Sequence, residues 1–427
     1  MLDITYIRSH PEVVRQNIAR RKVPEYLVFL DTVLQLDEKW RSLKGKIDNA
    51  RARRNKVSAE INTAKKGGKD ASSLISEAAE LPKIIAEAEG QLTELETNIR
   101  TCLLQLPNLM HDSVPYGKDD TENVTIAEVG KKPTFSFTPK SHVDLITENG
   151  WADLERAAKI SGARWYFLKG DLAVLEMALV QHAMDFMRKR GFVPVIPPHM
   201  ISRNAYEGVT SLGDFAESLY KIDGEDLYPI ATSEHPLTAI HRDEVLDEKK
   251  LPIKMVGYSP CYRKEAGAHG KDQKGIFRVH QFNKVEQIVF CTPDESWKFH
   301  EELLKNSTDF FESLGLPFRV VNICTGDLGI VAAKKYDIEV WYPVQNAYRE
   351  VVSCSNCTSY QAVRSNIRYQ KGTERLWIHT LNSTCVATTR ALVAIIENFQ
   401  QADGTVFIPK VLQKYTGFDR LTKAGSL

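Results

Sequence analysis

The sequence predicts an α+β protein, with an N-terminal antiparallel α-helical coiled-coil arm followed by an antiparallel β-sheet domain with flanking helices. In the first hundred residues, apolar residues recur at alternating spacings of three and four, which is the pattern of a coiled coil. Beyond residue 130, β-rich runs follow one another as hairpins among helical segments, an order typical of an antiparallel sheet and not of a doubly wound one. We therefore expect a helical domain at 1–105, a linker at 106–130 and the sheet domain at 131–427.

The composition is that of a globular protein. Of its 427 residues, 43% are hydrophobic and 26% are charged, and no apolar run approaches the roughly eighteen residues that a membrane span needs. The N-terminus lacks the apolar segment of a secretory signal, and seven cysteines, an odd number, indicate reduced thiols. These features predict a cytoplasmic protein without membrane association. The net charge of +1 does not by itself indicate nucleic-acid binding.

The arm is predicted as two helices joined at a Gly-Gly break within Lys65–Lys69. Its apolar positions run from Phe29 to Ala64 and from Leu74 to Leu106, with Arg54 as a charged residue among them. About 35 residues per helix would span about 50 Å. Pro82 predicts a kink or restart near Leu81, because proline lacks the backbone donor that a helix needs.

Charge along the arm is uneven, since the first helix is basic and the second is acidic. A basic flank can follow a phosphate backbone. Alternatively, these are solvated coiled-coil positions whose opposite charges pair across the hairpin. The basic residues that we consider candidates for nucleic-acid contact are Lys44, Lys46, Arg51, Arg53 and Arg54.

Two segments of the sheet domain precede its most informative hairpin. An apolar helix at 172–187 ends before Gly191, and a strand at 192–196 is stopped by Pro197-Pro198; from the residues alone this is a buried helix–strand unit. Thr232, Ser233 and Glu234 then place hydroxyls and a carboxylate before a helix. They are suited to binding a polar substrate, or to capping that helix.

The hairpin lies between Val256 and Phe290, where two β-rich runs flank a polar loop at 264–274. Strand side chains two residues apart share a face, which groups Arg263 with Glu265 on the first strand. On the second strand the same rule groups Arg278, His280, Phe282, Lys284 and Glu286. Arginine can bind phosphate through two hydrogen bonds, Phe282 can stack on a base and a glutamate can bind a small polar substrate. The alternative is an ordinary amphipathic hairpin with solvated charges.

The last two segments carry further polar groups. Glu350 and Ser353 offer two hard oxygen ligands of the kind that Mg²⁺ prefers. Cys354 and Cys357 form a C-x-x-C without a second ligand pair, so we expect no structural zinc. Arg390 falls in the first turn of a predicted helix capped by Thr388 or Thr389, where the helix dipole favours an anion instead, and this position indicates a bound anion or a stacked ring.

The R-x-E and R-x-x-x-F pattern, with the string FRVHQFNKVEQ, resembles the second signature motif of class II aminoacyl-tRNA synthetases, and of the seryl-tRNA synthetases in particular. The helix–strand–proline unit resembles the first motif, which builds a dimer interface, and the segment ending in Arg390 resembles the third. The N-S-T-C at 382–385 is similar to archaeal and eukaryotic members, whereas bacterial ones have N-G-S-G. No G-x-G-x-x-G or P-loop is present, which excludes the Rossmann and Walker sites.

The resemblance implies an aminoacyl-tRNA ligase that activates L-serine with ATP and Mg²⁺ and transfers the seryl group to serine tRNA, and to selenocysteine tRNA where present. It also implies a homodimer whose arm holds the long variable arm of the tRNA. Two alternatives are a paralogous class II ligase that loads a carrier protein and a catalytically inactive RNA-binding adaptor on the same fold. The intact charged residues of the motifs count against the adaptor, and the long basic arm counts against the carrier-protein ligase.

The resemblance also implies roles for single residues. Catalysis would rest on Arg263, Arg278 and Arg390. ATP would be bound by Arg263, Lys264, Glu265, Arg278, Val279, Phe282, Glu350, Val351, Val352, Ser353 and Arg390. Serine would be bound by Thr232, Ser233, Glu234, Arg263, Glu286, Asn382 and Thr384. Magnesium would be held by Glu350 and Ser353, and tRNA by the five basic residues of the arm.

Overall fold

The computed structural model describes residues 1–210, 218–265 and 274–424. The chain divides into two compact units, Met1–Leu109 and Met110–Leu427. Most of the polar loop predicted at 264–274 lies outside the described residues.

The first unit is helical, as predicted. Its helices are α1 (Ile4–Ser9), α2 (Pro11–Ala19), α3 (Pro24–Lys66) and α4 (Ser72–Gln105). Between α3 and α4 the chain turns at Gly68, whose φ of 64° lies in the left-handed region that glycine adopts at little cost. Trp40 of α3 donates to Glu96 of α4, and the later Arg51 donates to the earlier Glu89, so the two helices are antiparallel. The hairpin is confirmed.

Two details of the arm differ from expectation. The 43 residues of α3 span about 65 Å, more than predicted, because the helix already begins at Pro24, a position at which proline costs no hydrogen bond. Helix α4 continues through Pro82, so the predicted restart is wrong. Leu81 and Ile85 on either side of the proline are buried, and this packing holds the helix together.

The apolar seam is confirmed apart from Arg54. Val33, Ile47 and Val57 are buried in α3, whereas Arg54 is exposed. Arg53 is half-buried instead. The coiled-coil pattern allows the next apolar-face position to lie either three or four residues after Ala50, so it does not distinguish Arg53 from Arg54. The expectation that Arg54 lies among the buried apolar positions is therefore wrong.

The second unit is built on an eight-stranded sheet with helices packed against it, which confirms the α+β class. In spatial order its strands are β1 (Val124–Val129), β10 (Phe318–Asn322), β11 (Lys334–Tyr342), β12 (Ala347–Asn356), β15 (His379–Ala387), β9 (Gln281–Cys291), β8 (Ile253–Tyr262) and β4 (Val193–Val195). Neighbouring strands are antiparallel except for the edge pair β4 and β8.

Smaller strands complete the unit as pairs and a three-stranded sheet. They are β2 (Ala152–Asp153), β3 (Phe167–Leu168), β5 (Met200–Ser202), β6 (Leu227–Pro229), β7 (Val245–Asp247), β13 (Arg368–Lys371), β14 (Glu374–Trp377), β16 (Val406–Phe407) and β17 (Arg420–Leu421). The helices are α5 (His142–Glu148), α6 (Leu154–Ser161), α7 (Gly170–Arg188), α8 (Arg203–Val209), α9 (Glu234–Ala239), α10 (Ser296–Ser313), α11 (Tyr360–Ser365), α12 (Thr388–Asn398) and α13 (Lys410–Thr416). Helix α7 and strand β4 form the helix–strand unit predicted at 172–196.

The predicted linker at 106–130 is largely part of the second unit. Strand β1 pairs with β10 at the edge of the large sheet, and Met110 and Val114 pack with Val321 and Ile323 in one apolar cluster. The Pro-, Asp- and Gly-rich composition predicted a connection here, but the few apolar residues within it are enough to attach the segment to the sheet. In the described part of the chain, none of the helices combines the length and apolarity that crossing a bilayer requires.

Candidate active site

One face of the large sheet, at strands β9, β11, β12 and β15, borders an open cavity of about 690 Å³. That volume is in the range of small-molecule sites. The structure brings most of the predicted site residues to this cavity, namely Thr232, Glu234, Arg263, Glu265, Arg278, Val279, Phe282, Glu286, Glu350, Val351, Ser353, Asn382, Thr384 and Arg390.

Three predicted site residues do not line the cavity. The buried hydroxyl of Ser233 donates to the carbonyl of Gly257, 3.3 Å away, so it neither faces the cavity nor caps α9. Val352 is buried in the apolar core, and the side chain of Lys264 is exposed. Sequence proximity to a motif placed these residues in the site, but their side chains point elsewhere.

The hairpin strands are shorter than predicted. Strand β8 ends at Tyr262 and β9 begins at Gln281, so Arg263, Glu265, Arg278 and His280 lie in the connecting segments and not on paired strands. On β9 itself the alternation holds, because Phe282, Lys284 and Glu286 all line the cavity.

One end of the cavity is built around Glu286, whose side chain is fully buried. Its Oε2 lies 2.7 Å from Nζ of Lys284, and its Oε1 accepts a hydrogen bond of 3.3 Å from the Asn382 amide. Lys284 also donates to the Thr232 hydroxyl at 3.3 Å. The sequence pattern predicted Lys284 on the same strand face as Glu286, but no role was assigned to it. Its position two residues before Glu286 is the signal that could have identified it as a site residue.

Glu234 is a second carboxylate at this end. It accepts a hydrogen bond of 3.3 Å from the Gln361 amide. Burial, and then the negative charge of Glu286, raise the pKa of Glu234 to about 7, although Lys284 and Arg263 act in the opposite direction. The surrounding cations therefore leave this carboxylate incompletely compensated, so a cationic group bound beside it would be stabilised.

Another part of the cavity is lined by arginines. Arg263 donates through Nε to the carbonyl of Ala231 at 3.2 Å, and its guanidinium carbon lies 5.2 Å from the centre of the Phe282 ring. Arg278 lies 3.7 Å from the Glu265 carboxylate, and within the described residues its buried Nε has no hydrogen-bond acceptor. Cationic groups held beside an aromatic ring suit a ligand that carries both phosphates and a base.

Arg390 completes the basic part from the first turn of α12. Its Nη1 donates to the backbone carbonyl of Glu350 at 2.6 Å and lies 3.6 Å from the carboxylate of the same residue. The position in the first turn is as predicted. The predicted cap is wrong, because α12 begins at Thr388 after Ala387 and no side chain caps it.

A β-bulge in β12 brings the two predicted magnesium ligands together. Across from β11, Glu350 pairs with Glu339 and Val352 pairs with Ile338, which leaves Val351 as an extra residue. Residues three apart in a regular strand face opposite sides, but a bulge between them returns Glu350 and Ser353 to one face. A carboxylate and a hydroxyl fit Mg²⁺, which usually keeps several waters and binds substrate phosphates as well.

The predicted C-x-x-C contributes buried thiols. Cys354 and Cys357 are both buried, and burial raises the pKa of each thiol. Over the ranges that the structure describes, no group of three or more His, Cys, Asp or Glu side chains could hold a metal ion. Cys357 lines the cavity, as does Lys335, which lies 3.2 Å from the buried Asp337. Neither residue belongs to a motif from which the site was predicted.

Comparisons with known proteins agree with this geometry. Residues 1–110 match the family described as the seryl-tRNA synthetase N-terminal domain, and residues 219–399 match the class II tRNA synthetase core domain (G, H, P, S and T). The serine–tRNA ligase of Methanoregula boonei is 56% identical over 419 residues, covering 97% of this chain and 98% of that protein.

Two solved structures are similar over the whole chain. The seryl-tRNA synthetase of Pyrococcus horikoshii complexed with ATP has a TM-score of 0.95 and 48% identity, with 100% of both chains covered. The cytoplasmic serine–tRNA ligase of Naegleria fowleri in complex with AMP has a TM-score of 0.90 and 35% identity, with 100% of this chain and 99% of that chain covered. On the identity shared over nearly its entire length, together with the arginine- and carboxylate-lined cavity, this chain belongs to the seryl-tRNA synthetase family.

Proposed function

We propose that this protein is a serine–tRNA ligase that forms seryl-adenylate from L-serine and ATP and then transfers the seryl group to serine tRNA. The observation that carries the proposal is that one cavity is lined both by arginines and by the carboxylates of Glu234 and Glu286. Such a cavity can hold ATP and a small amino acid side by side, which is the arrangement that adenylate formation requires.

In the first step the serine carboxylate attacks the α-phosphorus of ATP and pyrophosphate leaves. Arg263 binds the α-phosphate and the serine carboxylate, and it neutralises the charge that develops between them. Arg278 and Arg390 bind the outer phosphates, while Phe282 and Arg390 flank the adenine. Glu265 contacts the base or ribose. Magnesium held by Glu350 and Ser353 would supply neutralisation of phosphate charge.

The carboxylate end accounts for the choice of serine. Glu286 and Thr384 bind the serine hydroxyl, with Asn382 orienting the Glu286 carboxylate through its hydrogen bond. The incompletely compensated carboxylate of Glu234 binds the serine ammonium group, beside Thr232. Alanine is rejected because it leaves the hydrogen-bonding capacity of buried Glu286 unused.

In the second step a terminal ribose hydroxyl of the tRNA attacks the acyl carbon of seryl-adenylate, which breaks the bond to phosphate, forms the ester and releases AMP and a proton. The arm supplies the basic surface for the tRNA. Its five candidate tRNA-binding residues differ in whether a carboxylate of the protein already pairs with them. Arg51 pairs with Glu89 and Arg53 with Glu77, both at 2.6 Å, and Lys44 pairs with Asp48 at 3.2 Å. Arg51 and Arg53 thus pair across the hairpin, as in the alternative interpretation, whereas Lys44 pairs within its own helix.

Lys46 and Arg54 are the two available candidates. Both are exposed, and neither is ion-paired to a carboxylate of the described chain within 4.0 Å. A phosphate that binds either residue does not have to displace a carboxylate first. We therefore assign the larger phosphate contribution to these two residues.

The enzyme also acts as a homodimer in this proposal. Large apolar side chains are exposed along the helix–strand unit, with Met177 at 73%, Val193 at 60% and Ile196 at 73%. Exposed apolar residues on one structural unit favour burial against a partner. A second copy of the chain is the partner that the first-motif resemblance implies.

Charging of tRNA tests the proposal. Purified protein incubated with ATP, Mg²⁺, labelled L-serine and a serine tRNA transcript should produce acid-precipitable seryl-tRNA. A transcript with a shortened variable arm should be charged poorly. Labelled serine on a carrier protein, with none on tRNA, would favour the paralogous ligase, and no serine activation at all would favour an inactive adaptor.

A further inference from the structure

The chain leaves strand β8 through a segment that is held by side chains from elsewhere. Arg263, Lys264 and Glu265 follow the strand, and each of their carbonyls accepts a hydrogen bond from a side chain. His280 Nδ1 lies 2.9 Å from the carbonyl of Arg263. Arg164 donates through Nη2 to the carbonyl of Lys264 at 3.3 Å and through Nη1 to that of Glu265 at 3.0 Å. Because a carbonyl only accepts, Nδ1 of His280 carries a proton in this arrangement.

Backbone hydrogen bonds complete the connection. The N–H of His280 donates to the carbonyl of Arg164 at 3.2 Å, and the N–H of Arg263 donates to the carbonyl of His280 at 2.9 Å. Arg164 therefore contacts both sides of the hairpin just beyond its paired strands. It belongs to neither side, since it lies between α6 and β3.

Two residues in this arrangement have unusual backbone conformations. Glu265 has a φ of 49° and Arg164 a φ of 63°, both in the left-handed region that residues other than glycine seldom adopt. Such a conformation persists where surrounding contacts over-determine it. The hydrogen bond from Arg164 to the Glu265 carbonyl is a contact of that kind, and it fixes the direction in which the Glu265 side chain leaves the backbone.

We infer that Arg164 is a positioning residue for ATP: its guanidinium holds the Lys264–Glu265 backbone so that the Glu265 carboxylate lies in the cavity beside Arg278. Glu265 lines the cavity and lies 3.7 Å from Arg278, whereas Arg164 is not among the residues that line it. Arg164 therefore acts through Glu265. The inference rests on the proposed function of the cavity as an ATP and serine site.

Steady-state ATP–pyrophosphate exchange tests it, with Arg164→Ala and Arg164→Lys compared with the control Arg156→Ala. Arg156 lies on the preceding helix α6, is 80% exposed in its side chain and pairs with Asp153. Arg164→Ala should raise the KM for ATP by about tenfold, the scale of one or two lost hydrogen bonds, and leave the KM for serine within about twofold of wild type. Arg164→Lys should show a smaller rise in the KM for ATP than Arg164→Ala, because the lysine ammonium can bind one carbonyl but cannot bind both as the guanidinium does.

A double-mutant cycle separates positioning from general stabilisation. If Arg164 acts through the Glu265 carboxylate, adding Arg164→Ala to Glu265→Ala should change the KM for ATP by less than about twofold, because the group that it positions is already gone. Effects that multiply would overturn the inference, as would equal rises in the KM values for ATP and serine. If the alanine variant does not fold, Arg164→Lys carries the same cycle.

The failure of this inference differs from that of the proposed function. A wild-type protein without serine-dependent exchange would refute the function. An active wild type in which the Arg164 and Arg156 variants behave alike would refute the positioning role alone.

Discussion

Replacing Glu286 by glutamine removes the negative charge at the serine end of the cavity and keeps the shape of the side chain. The fully buried carboxylate would otherwise accept the hydrogen bond of the serine hydroxyl. Losing a charge-assisted bond costs about 1.5–3 kcal/mol, which corresponds to a rise of roughly 10- to 150-fold in the KM for serine. The KM for ATP should change little, since the arginine-lined part of the cavity is untouched.

The same substitution also affects folding, because Lys284 loses the anion 2.7 Å from its Nζ. Breaking a buried ion pair costs up to about 3–5 kcal/mol of the free energy of unfolding. The hydrogen bond from Lys284 to the Thr232 hydroxyl and the nearby Glu234 carboxylate should reduce this cost. We therefore expect a lower melting temperature together with the loss of serine affinity.

Serine-dependent and alanine-dependent exchange, measured with thermal unfolding on the same preparations, check this prediction. A matched control is Glu302→Gln, which breaks an ion pair with Lys254 between two residues that do not line the cavity and should lower stability without changing either KM. The preference of Glu286→Gln for serine over alanine should fall by the same factor as its serine affinity. A variant with equal losses for ATP and serine and an unchanged preference would refute the role of Glu286 in reading the hydroxyl.

Three further predictions concern other parts of the proposal. Arg263→Ala should cut adenylate formation by at least about 100-fold, the scale for one donor to a developing negative charge, and exchange within about threefold of wild type would remove Arg263 from the site. Because the pKa of Glu234 is raised to about 7, its ionised fraction should grow between about pH 6 and 8 and the KM for serine should fall over that window. Glu234→Gln should abolish the pH dependence, and a wild-type profile retained by that variant would contradict the ammonium contact. Replacing Lys46 and Arg54 by glutamine should flatten the dependence of log tRNA affinity on log salt concentration by roughly one unit per lost phosphate contact; an unchanged slope would mean that both are only solvated charges.

The pKa of Glu234 has an opposite consequence for stability. A folded-state pKa raised above the ordinary carboxyl value means that the folded protein holds a proton that the unfolded chain releases first. The free energy of unfolding should therefore fall as pH rises from about 4.5 to about 7, and then level off. In Glu234→Gln this contribution should be absent.

The sequence alone predicted burial correctly where buried residues recur at the regular spacing of a single helix or strand. The seam of the arm and the cavity face of β9 both depend on which side of a single helix or strand a residue occupies, so spacing predicted Val33, Ile47 and Phe282 correctly. It failed at Arg54, because a coiled-coil spacing accepts three or four residues. Of the kink or restart predicted at Pro82, the restart is wrong, because packing on both sides of the proline outweighs one missing hydrogen bond.

The remainder of the site depends on contacts between distant segments. Glu350 and Ser353 share a face only because β12 contains a bulge, which is visible in its register with β11 and not in the residue pattern. Lys335 reaches the cavity from β11, far from any signature motif. The raised pKa of Glu234, on helix α9, depends on burial and then on Glu286, which comes from strand β9. These features arise from pairing across the sheet, which a single sequence does not reveal.

Serine-dependent ATP–pyrophosphate exchange, measured without tRNA, tests the central claim most directly. Adenylate formation requires the arginine-lined part and the carboxylate-lined end of the cavity to act on one pair of substrates. We predict robust exchange with L-serine and at least about 100-fold weaker exchange with L-alanine at equal concentration, because a site built to hydrogen-bond a hydroxyl rejects the analogue that lacks it. Exchange that is absent with serine, or equally fast with alanine, would contradict the account.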